Sequence, residues 1–208
     1  MRTTVYVYVM ETMADWELGY VMAELHSKRY FRKDAPEIEV RTVGDTKDAV
    51  QSMGGLTILP DYTIDEIKTK PSNLLILPGS NTWNDPKHEG ILNKAEEFLK
   101  AGAGVAAICG ATVALAERGL LDERQHTSNG VGFLDRMCPQ YKGQKSYVDE
   151  LSVVSDNLIT AGSTGGLLMA KQILNYLHVF RSETLKAWYE YFSTGKAEHF
   201  FELMHTIQ

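Results

Sequence analysis

Ala103 to Gly119 reads AGVAAICGATVALAERG, and this stretch decides the fold. Val105 to Ile108 is an apolar run without a polar residue, as expected of a strand buried on both faces. Cys109 and Gly110 follow at once. Ala111 to Glu117 is rich in Ala, with Val113 as a β-branched exception, and Gly119 stands where a helix would stop. Cys109 is therefore predicted at the corner between the carboxyl end of a strand and the amino end of a helix. In open α/β sheets ligands bind at that corner. A helix amino end offers free N–H groups and favours negative charge. Both effects predict a Cys109 pKa below that of a free thiol, and the thiolate is the nucleophilic form. The small neighbours Ala106, Ala107, Gly110 and Ala111 allow a tight turn. Cys109 reads equally as a small buried hydrophobe, which is common for free cysteine.

Outward from this corner the chain alternates strands with helical segments. Thr3 to Met10, TTVYVYVM, is β-branched and aromatic and reads as a first strand. Glu17 to Tyr30 carries Leu18, Val21, Met22 and Leu25 at helical spacing, so Glu17 falls in a first helical turn just after that strand. Ile38 to Val43 is a second strand. Gln51 to Pro60 reads as a short hairpin turning at Gly54-Gly55, and Thr63 to Ile67 as a short helix or turn. Asn73 to Leu77 is a core strand running into Pro78-Gly79-Ser80. A helix is predicted from Asp85-Pro86 to Lys100, with Ile91, Leu92, Ala95, Phe98 and Leu99 as its apolar stripe. A short strand is expected at His126 to Ser128, a helix at Gly132 to Cys138, strands at Tyr147 to Val154 and Leu158 to Ala161, and an apolar helix at Leu167 to Phe180. Arg181 to Gln208 reads as two further helices broken at Gly195. It is rich in aromatics, which must pack on the body or on a second subunit. The pattern predicts an α/β fold, a three-layer α/β/α sandwich around a mostly parallel sheet, as one domain over 1–208 with 181–208 as a helical extension.

Composition narrows the function classes. A net charge of −6 without a Lys/Arg cluster argues against nucleic acid or an anionic membrane as partner. The 2 cysteines, Cys109 and Cys138, form no CxxC pair and stand near no histidine cluster, so neither a structural zinc site nor a disulfide framework is expected. No apolar run reaches the ~20 residues of a membrane span, and the amino terminus alternates like a strand rather than carrying a signal peptide's apolar core. The expectation is a cytoplasmic protein without metal or cofactor.

Five stretches taken together carry a resemblance: VYVYVM in the first strand, ADWEL at Ala14 to Leu18, LLILPGS at Leu74 to Ser80, AAICGAT at Ala106 to Thr112, and LAERGLLDERQHTSN at Leu115 to Asn129. In this order the chain, from Thr3 to Leu177, resembles the ThiJ/PfpI superfamily of the class I glutamine amidotransferase-like fold, which includes intracellular proteases and glyoxalases. The resemblance implies a flavodoxin-like sheet and makes Cys109 the elbow nucleophile, similar to the elbow that displays serine in α/β-hydrolases. It makes Glu17 the carboxyl that contacts the cysteine sulfur. That role requires a protonated Glu17, because a carboxylate beside a thiolate would raise the thiol pKa; the pair then titrates as a unit. It makes the Gly79 and Gly110 N–H groups the oxyanion donors. Trp83 then walls the pocket, or is a plain core tryptophan.

The chain departs from the family pattern at H-T-S-N. Asn129 stands in the slot where hydrolytic members carry a histidine base, and His126 lies three residues early. In a strand His126 would point away from Asn129, and it is expected to be a partly exposed strand histidine. Asn129 cannot act as a base but could orient a substrate or water. His88, near Trp83, could reach the pocket rim; Cys138 reads as structural. Three functions remain open. The first is an enzyme of glyoxalase, deglycase or amidase type acting on a small carbonyl or amide compound. The second is a redox-sensing, stress-protective protein using the same cysteine, and the third a binding module that has lost the chemistry. Peptide cleavage fits less well without the histidine. A homodimer is the expected assembly.

Overall fold

The computed structural model describes residues 2–207. In chain order the elements are β1 (Arg2–Tyr8), α1 (Asp15–Ser27), β2 (Glu37–Gly44), β3 (Val50–Gln51), β4 (Thr57–Ile58), β5 (Tyr62–Thr63), β6 (Leu74–Leu77), α2 (Glu89–Lys100), β7 (Gly104–Ile108), α3 (Gly110–Glu117), α4 (Phe133–Met137), β8 (Ser152–Ser155), β9 (Leu158–Ala161), α5 (Gly166–Tyr176), α6 (Ser182–Thr194) and α7 (Ala197–Thr206). A 7-stranded sheet runs in the order β5-β2-β1-β6-β7-β9-β8. Every pairing in it is parallel except that of the edge strand β8 with β9. The central strands explain themselves. All of Leu74–Leu77 and all of Gly104–Ile108 are buried, because helices cover both faces of a parallel sheet. Helices α1 and α5 pack together on one face, with α6 against α5; α2 and α3 cover the other.

The strand order places the site. β1, β6 and β7 lie side by side, with Val7 opposite Ile76 and Ile76 opposite Ala106. Their carboxyl ends therefore deliver the start of α1, the Pro78-Gly79-Ser80 turn and Cys109 to one end of the sheet, at its centre.

Some local expectations are corrected. α1 ends at Ser27 rather than Tyr30, because Lys28 adopts φ 56° and closes the helix. The 126–128 segment makes a single bridge, His126 to Tyr147, instead of a strand. The strand expected from Tyr147 is regular only over Ser152–Ser155. The helix from Leu167 stops at Tyr176, and His178 at φ 53° turns the chain. The hairpin read at Gln51 to Pro60 forms with its paired residues at Val50–Gln51 and Thr57–Ile58, and the break at Gly195 and both tail helices form as read.

The aromatic tail is used within the chain. Trp188 is fully buried and donates from Nε1 to Glu24 Oε1 at 2.9 Å. Its ring meets Tyr20, Phe180 and Phe192. Glu24 is buried as well and is paired with Arg29, so its charge is compensated. Phe200 and Phe201 stay exposed. No helix among the described residues is long and apolar enough to cross a membrane.

Candidate active site

Cys109 connects β7 directly to α3 and has φ 57° and ψ −121°. A non-glycine residue there stores strain on the order of 1–3 kcal/mol, so the surroundings must hold it. They do so from both sides. The Cys109 N–H donates to Ala161 O of β9 at 2.9 Å, and the Cys109 carbonyl accepts from Thr112 N at 3.0 Å and Thr112 Oγ1 at 2.6 Å. The strained turn sets Cys109 beyond the carboxyl end of β7, at the amino end of α3.

Glu17, in the first turn of α1, has no exposed surface. Its Oε2 accepts from Gly79 N at 2.7 Å, and its Oε1 has no hydrogen-bond partner. A Cβ on Gly79 would stand 2.6 Å from both carboxyl oxygens and 2.8 Å from Cys109 Cβ. Only glycine lets the carboxyl and the cysteine share this space. Burial pushes the Glu17 pKa up, against the pull of the Gly79 N–H and of the neighbouring Cys109 thiol.

The Cys109 thiol is raised, not lowered as the helix terminus alone predicts. Burial pushes it up. The Asn129 amide and the Gly110 N–H act the other way, and the charge of an ionised Glu17 adds to the rise. Each of the two groups thus bears on the charge of the other.

Gly79 N–H, expected as an oxyanion donor, is occupied by Glu17 Oε2 and serves to hold that carboxyl. The Gly110 N–H faces the sulfur. Sequence reasoning missed the next residue, Ser80. Its N–H has no hydrogen-bond partner among the described residues and lies 3.5 Å from the position of a Cβ on Gly110. The signal was the PGS turn itself, read one residue short.

Asn129 reaches the sulfur. Its Nδ2 donates to Cys109 Sγ at 3.3 Å, and its Oδ1 accepts from Ser163 N at 2.8 Å. The preceding residue is tied to α3 by the Ser128 Oγ–Thr112 Oγ1 bond of 2.6 Å. Trp83 is 9% exposed and does both things proposed for it. It donates to Pro78 O at 2.8 Å, packs on Tyr8 and His88, and lines the pocket beside Gly110.

The histidines go elsewhere. His126 is fully buried, not partly exposed. Its Nδ1 lies 2.7 Å from the Arg124 carbonyl and therefore carries the proton, so Nε2 accepts from Tyr141 OH at 2.6 Å. Burial holds it neutral by lowering its pKa. His88 is 1% exposed, beneath the rim rather than on it. Its Nδ1 is 2.7 Å from Tyr8 OH, and burial lowers its pKa too. Both satisfy buried polar networks. Cys138 is 1% exposed at the end of α4.

A cavity of about 430 Å³ opens over Cys109, walled by Ser80, Trp83, Val113, Glu117, Phe133 and Met137 among others. Among the described residues, Glu117 is the one ionisable side chain on that wall apart from Cys109, and no Lys, Arg or His lines it.

Residues 3–176 match the DJ-1/PfpI family. The chain is 47% identical over 203 residues to YoaZ of Bacillus subtilis, named an uncharacterized protease, covering 98% of this chain and 97% of that one. It is 26% identical over 148 residues to the glutathione-independent glyoxalase DJR-1.2 of Caenorhabditis elegans, covering 64% and 77% of the two. The solved structure of a thiJ/pfpI family protein from Bacillus anthracis superposes with a TM-score of 0.96 at 45% identity, covering 100% of this chain and 98% of that one. A family match that includes α1, the Gly79 turn and the Cys109 elbow, with near full-length relatives on either side of it, leads to one conclusion: the chain belongs to the DJ-1/PfpI family.

Proposed function

We propose that the protein is a cysteine-dependent enzyme acting on a small, uncharged carbonyl compound, in the manner of a glyoxalase or deglycase. The observation that carries this reading is Glu17: buried, pinned through Oε2 by Gly79 N–H, with Oε1 free beside Cys109. Burial favours the protonated carboxyl. A neutral Glu17 no longer opposes a thiolate and can donate to it.

The thiolate then adds to an aldehyde carbon. A C–S bond forms, and the carbonyl oxygen takes the Glu17 proton to give a hemithioacetal. In a 2-oxoaldehyde, the Glu17 carboxylate can take the proton from that carbon and return it to the neighbouring carbonyl carbon, while the two oxygens exchange a proton. The product is a thioester, which water cleaves to a hydroxy acid and the free thiol. Developing negative charge on oxygen would be met by the Gly110 and Ser80 N–H groups, each donor of this type worth about 10²–10³ in rate. A wall whose fixed charge is Glu117 suits an uncharged or cationic substrate and disfavours a carboxylate. Peptide cleavage fits less well, because no wall imidazole can protonate a leaving amine.

The test combines consumption of a 2-oxoaldehyde with the Cys109 pKa, read from alkylation rate against pH. Glu17→Leu is expected to raise the thiol pKa, and Glu17→Gln, which keeps a donor on the sulfur, to hold it while losing turnover. A fall of the pKa in Glu17→Leu would mean that Glu17 is ionised, and this reading would be lost. The free Oε1 also favours a second reading, as a peroxide sensor: thiolate and hydrogen peroxide give sulfenate and water, and a second peroxide gives a sulfinate that accepts from Glu17. Mass spectrometry after mild peroxide separates the two, since sulfinate on Cys109 without aldehyde turnover supports the sensor. We also propose a cytoplasmic homodimer. Trp16, Met53, Leu56 and Leu59 are exposed around the start of α1 and the β3–β4 hairpin, which Asp15 joins through Gly54 N. A monomer mass by light scattering would overturn the dimer.

A further inference from the structure

The Asn129 side chain is exposed, yet it is fixed at both ends. Ser128 is bonded to Thr112 on α3. Thr127 is bonded to Thr160 of β9 through its N–H and to Glu150 O through its hydroxyl. The Ser163 N–H occupies Asn129 Oδ1, so the carboxamide has its NH₂ group left to present to Cys109. The Ser163 peptide is held from its other side, where its carbonyl accepts from Trp16 Nε1 at 3.2 Å. An exposed asparagine without such ties would sample several rotamers. Here the flip state follows from the network, because the reversed amide would set two donors against each other at Ser163.

We infer that Asn129 is the positioning residue that keeps Cys109 poised as a thiolate, by a hydrogen bond from a donor that does not itself titrate. The inference rests on the proposed role of Cys109 as the reactive group and specifies how its charge is held. A histidine in this place would exchange protons near neutrality and could take the proton of the thiol. A carboxamide does neither. It stabilises the anion at every pH and leaves the proton to the Cys109–Glu17 pair. The groups facing the sulfur are Glu17 from α1, Asn129 from its loop and the Gly110 N–H from α3. Glu117 lies farther along the pocket wall, and Asp149 and Glu150 line the groove on the other side of Asn129. No cationic side chain borders the main pocket or this groove. The fixed dipoles therefore have no charged substitute.

The experiment is the pH dependence of Cys109 alkylation by iodoacetamide, with the modified residue located by mass spectrometry, in the whole protein. Asn129→Asp keeps the oxygen that Ser163 N–H needs and removes the donor; Asn129→Ala removes both. Both are expected to raise the Cys109 pKa, Asn129→Ala by about one unit, the scale of one hydrogen bond to a charged group, and Asn129→Asp by more because it adds a like charge. Asn129→His is expected to introduce a second ionisation between about pH 5 and 8. Thermal midpoints measured alongside identify a variant that has lost its fold, and folded Asn129→Ala, which removes the donor without adding a charge, decides whether the donor itself lowers the pKa. An unchanged Cys109 pKa in folded Asn129→Ala, with the parent thiol reactive, overturns the role of Asn129 and leaves Cys109 standing. A parent Cys109 with an ordinary thiol pKa overturns both.

Discussion

Cys109 and Cys138 are the two thiols of this chain, and both are pushed up in pKa by burial. Their settings differ in what opposes that push. Cys109 begins a helix, stands on a strained turn, and receives the Asn129 amide and the Gly110 N–H. Cys138 ends a helix, and Glu117 and Asp122 add negative charge around it. A helix carboxyl end disfavours an anion as its amino end favours one. The same side chain is thus a candidate nucleophile at one helix end and packing at the other. The environment, not the residue type, makes the difference.

The largest expected effect is on turnover. Cys109→Ala should remove 2-oxoaldehyde consumption by about 10³-fold or more, as loss of a covalent nucleophile does. Cys138→Ala should keep it within about twofold. Comparable losses from both would break the contrast. Next is selectivity of alkylation. In the folded protein near neutral pH, Cys109 should react about 100-fold faster than Cys138, because Cys138 is 1% exposed. In urea the two rates should converge, and a difference surviving there would locate its origin in the local sequence.

A smaller effect concerns Glu17. Its raised pKa means that the folded state holds the proton more tightly than the unfolded chain. Stability is therefore fully present below the ordinary carboxyl range and is lost as pH rises toward the displaced value, by about 1.4 kcal/mol for each unit of displacement. Glu17→Gln carries no such loss. Its Tm should exceed the parent's near pH 8, and the gap should close near pH 4. A gap independent of pH would mean that Glu17 is not held protonated. The smallest effect is Cys138→Ala on stability. Removing a buried sulfur should cost about 1 kcal/mol in urea melts, whereas no loss at all would mean that Cys138 packs loosely.

Much of the site was legible before the structure because it rests on local rules. An apolar run, then Cys-Gly, then a run of helix formers defines an elbow over a few residues, and the first-turn position of Glu17 follows from helical spacing. The sequence allows Trp83 to be wall or core, and it is both, since its ring packs on Tyr8 while Cδ1 lies beside Gly110. His126 is buried where the sequence predicts partial exposure. A strand there would have left it half open, but the segment makes one bridge and the imidazole sinks against Tyr141 and Tyr147. The Ser80 N–H could not be weighed against that of Gly79, because which of two adjacent amides is free depends on where Glu17 comes to rest.

The sequence by itself determined the parallel α/β architecture, the corner that holds Cys109, and the absence of a histidine at position 129. Each depends on side-chain periodicity or identity within a few residues. Only the tertiary structure decided that Gly79 holds Glu17, that Ser80 and Gly110 keep the available amides, and that Asn129 turns its NH₂ toward the sulfur. Those outcomes depend on hydrogen-bond partners 20 to 62 residues away in the chain. Long-range pairing of polar groups in a shared space is set by how strands and helices pack, and no local pattern encodes it.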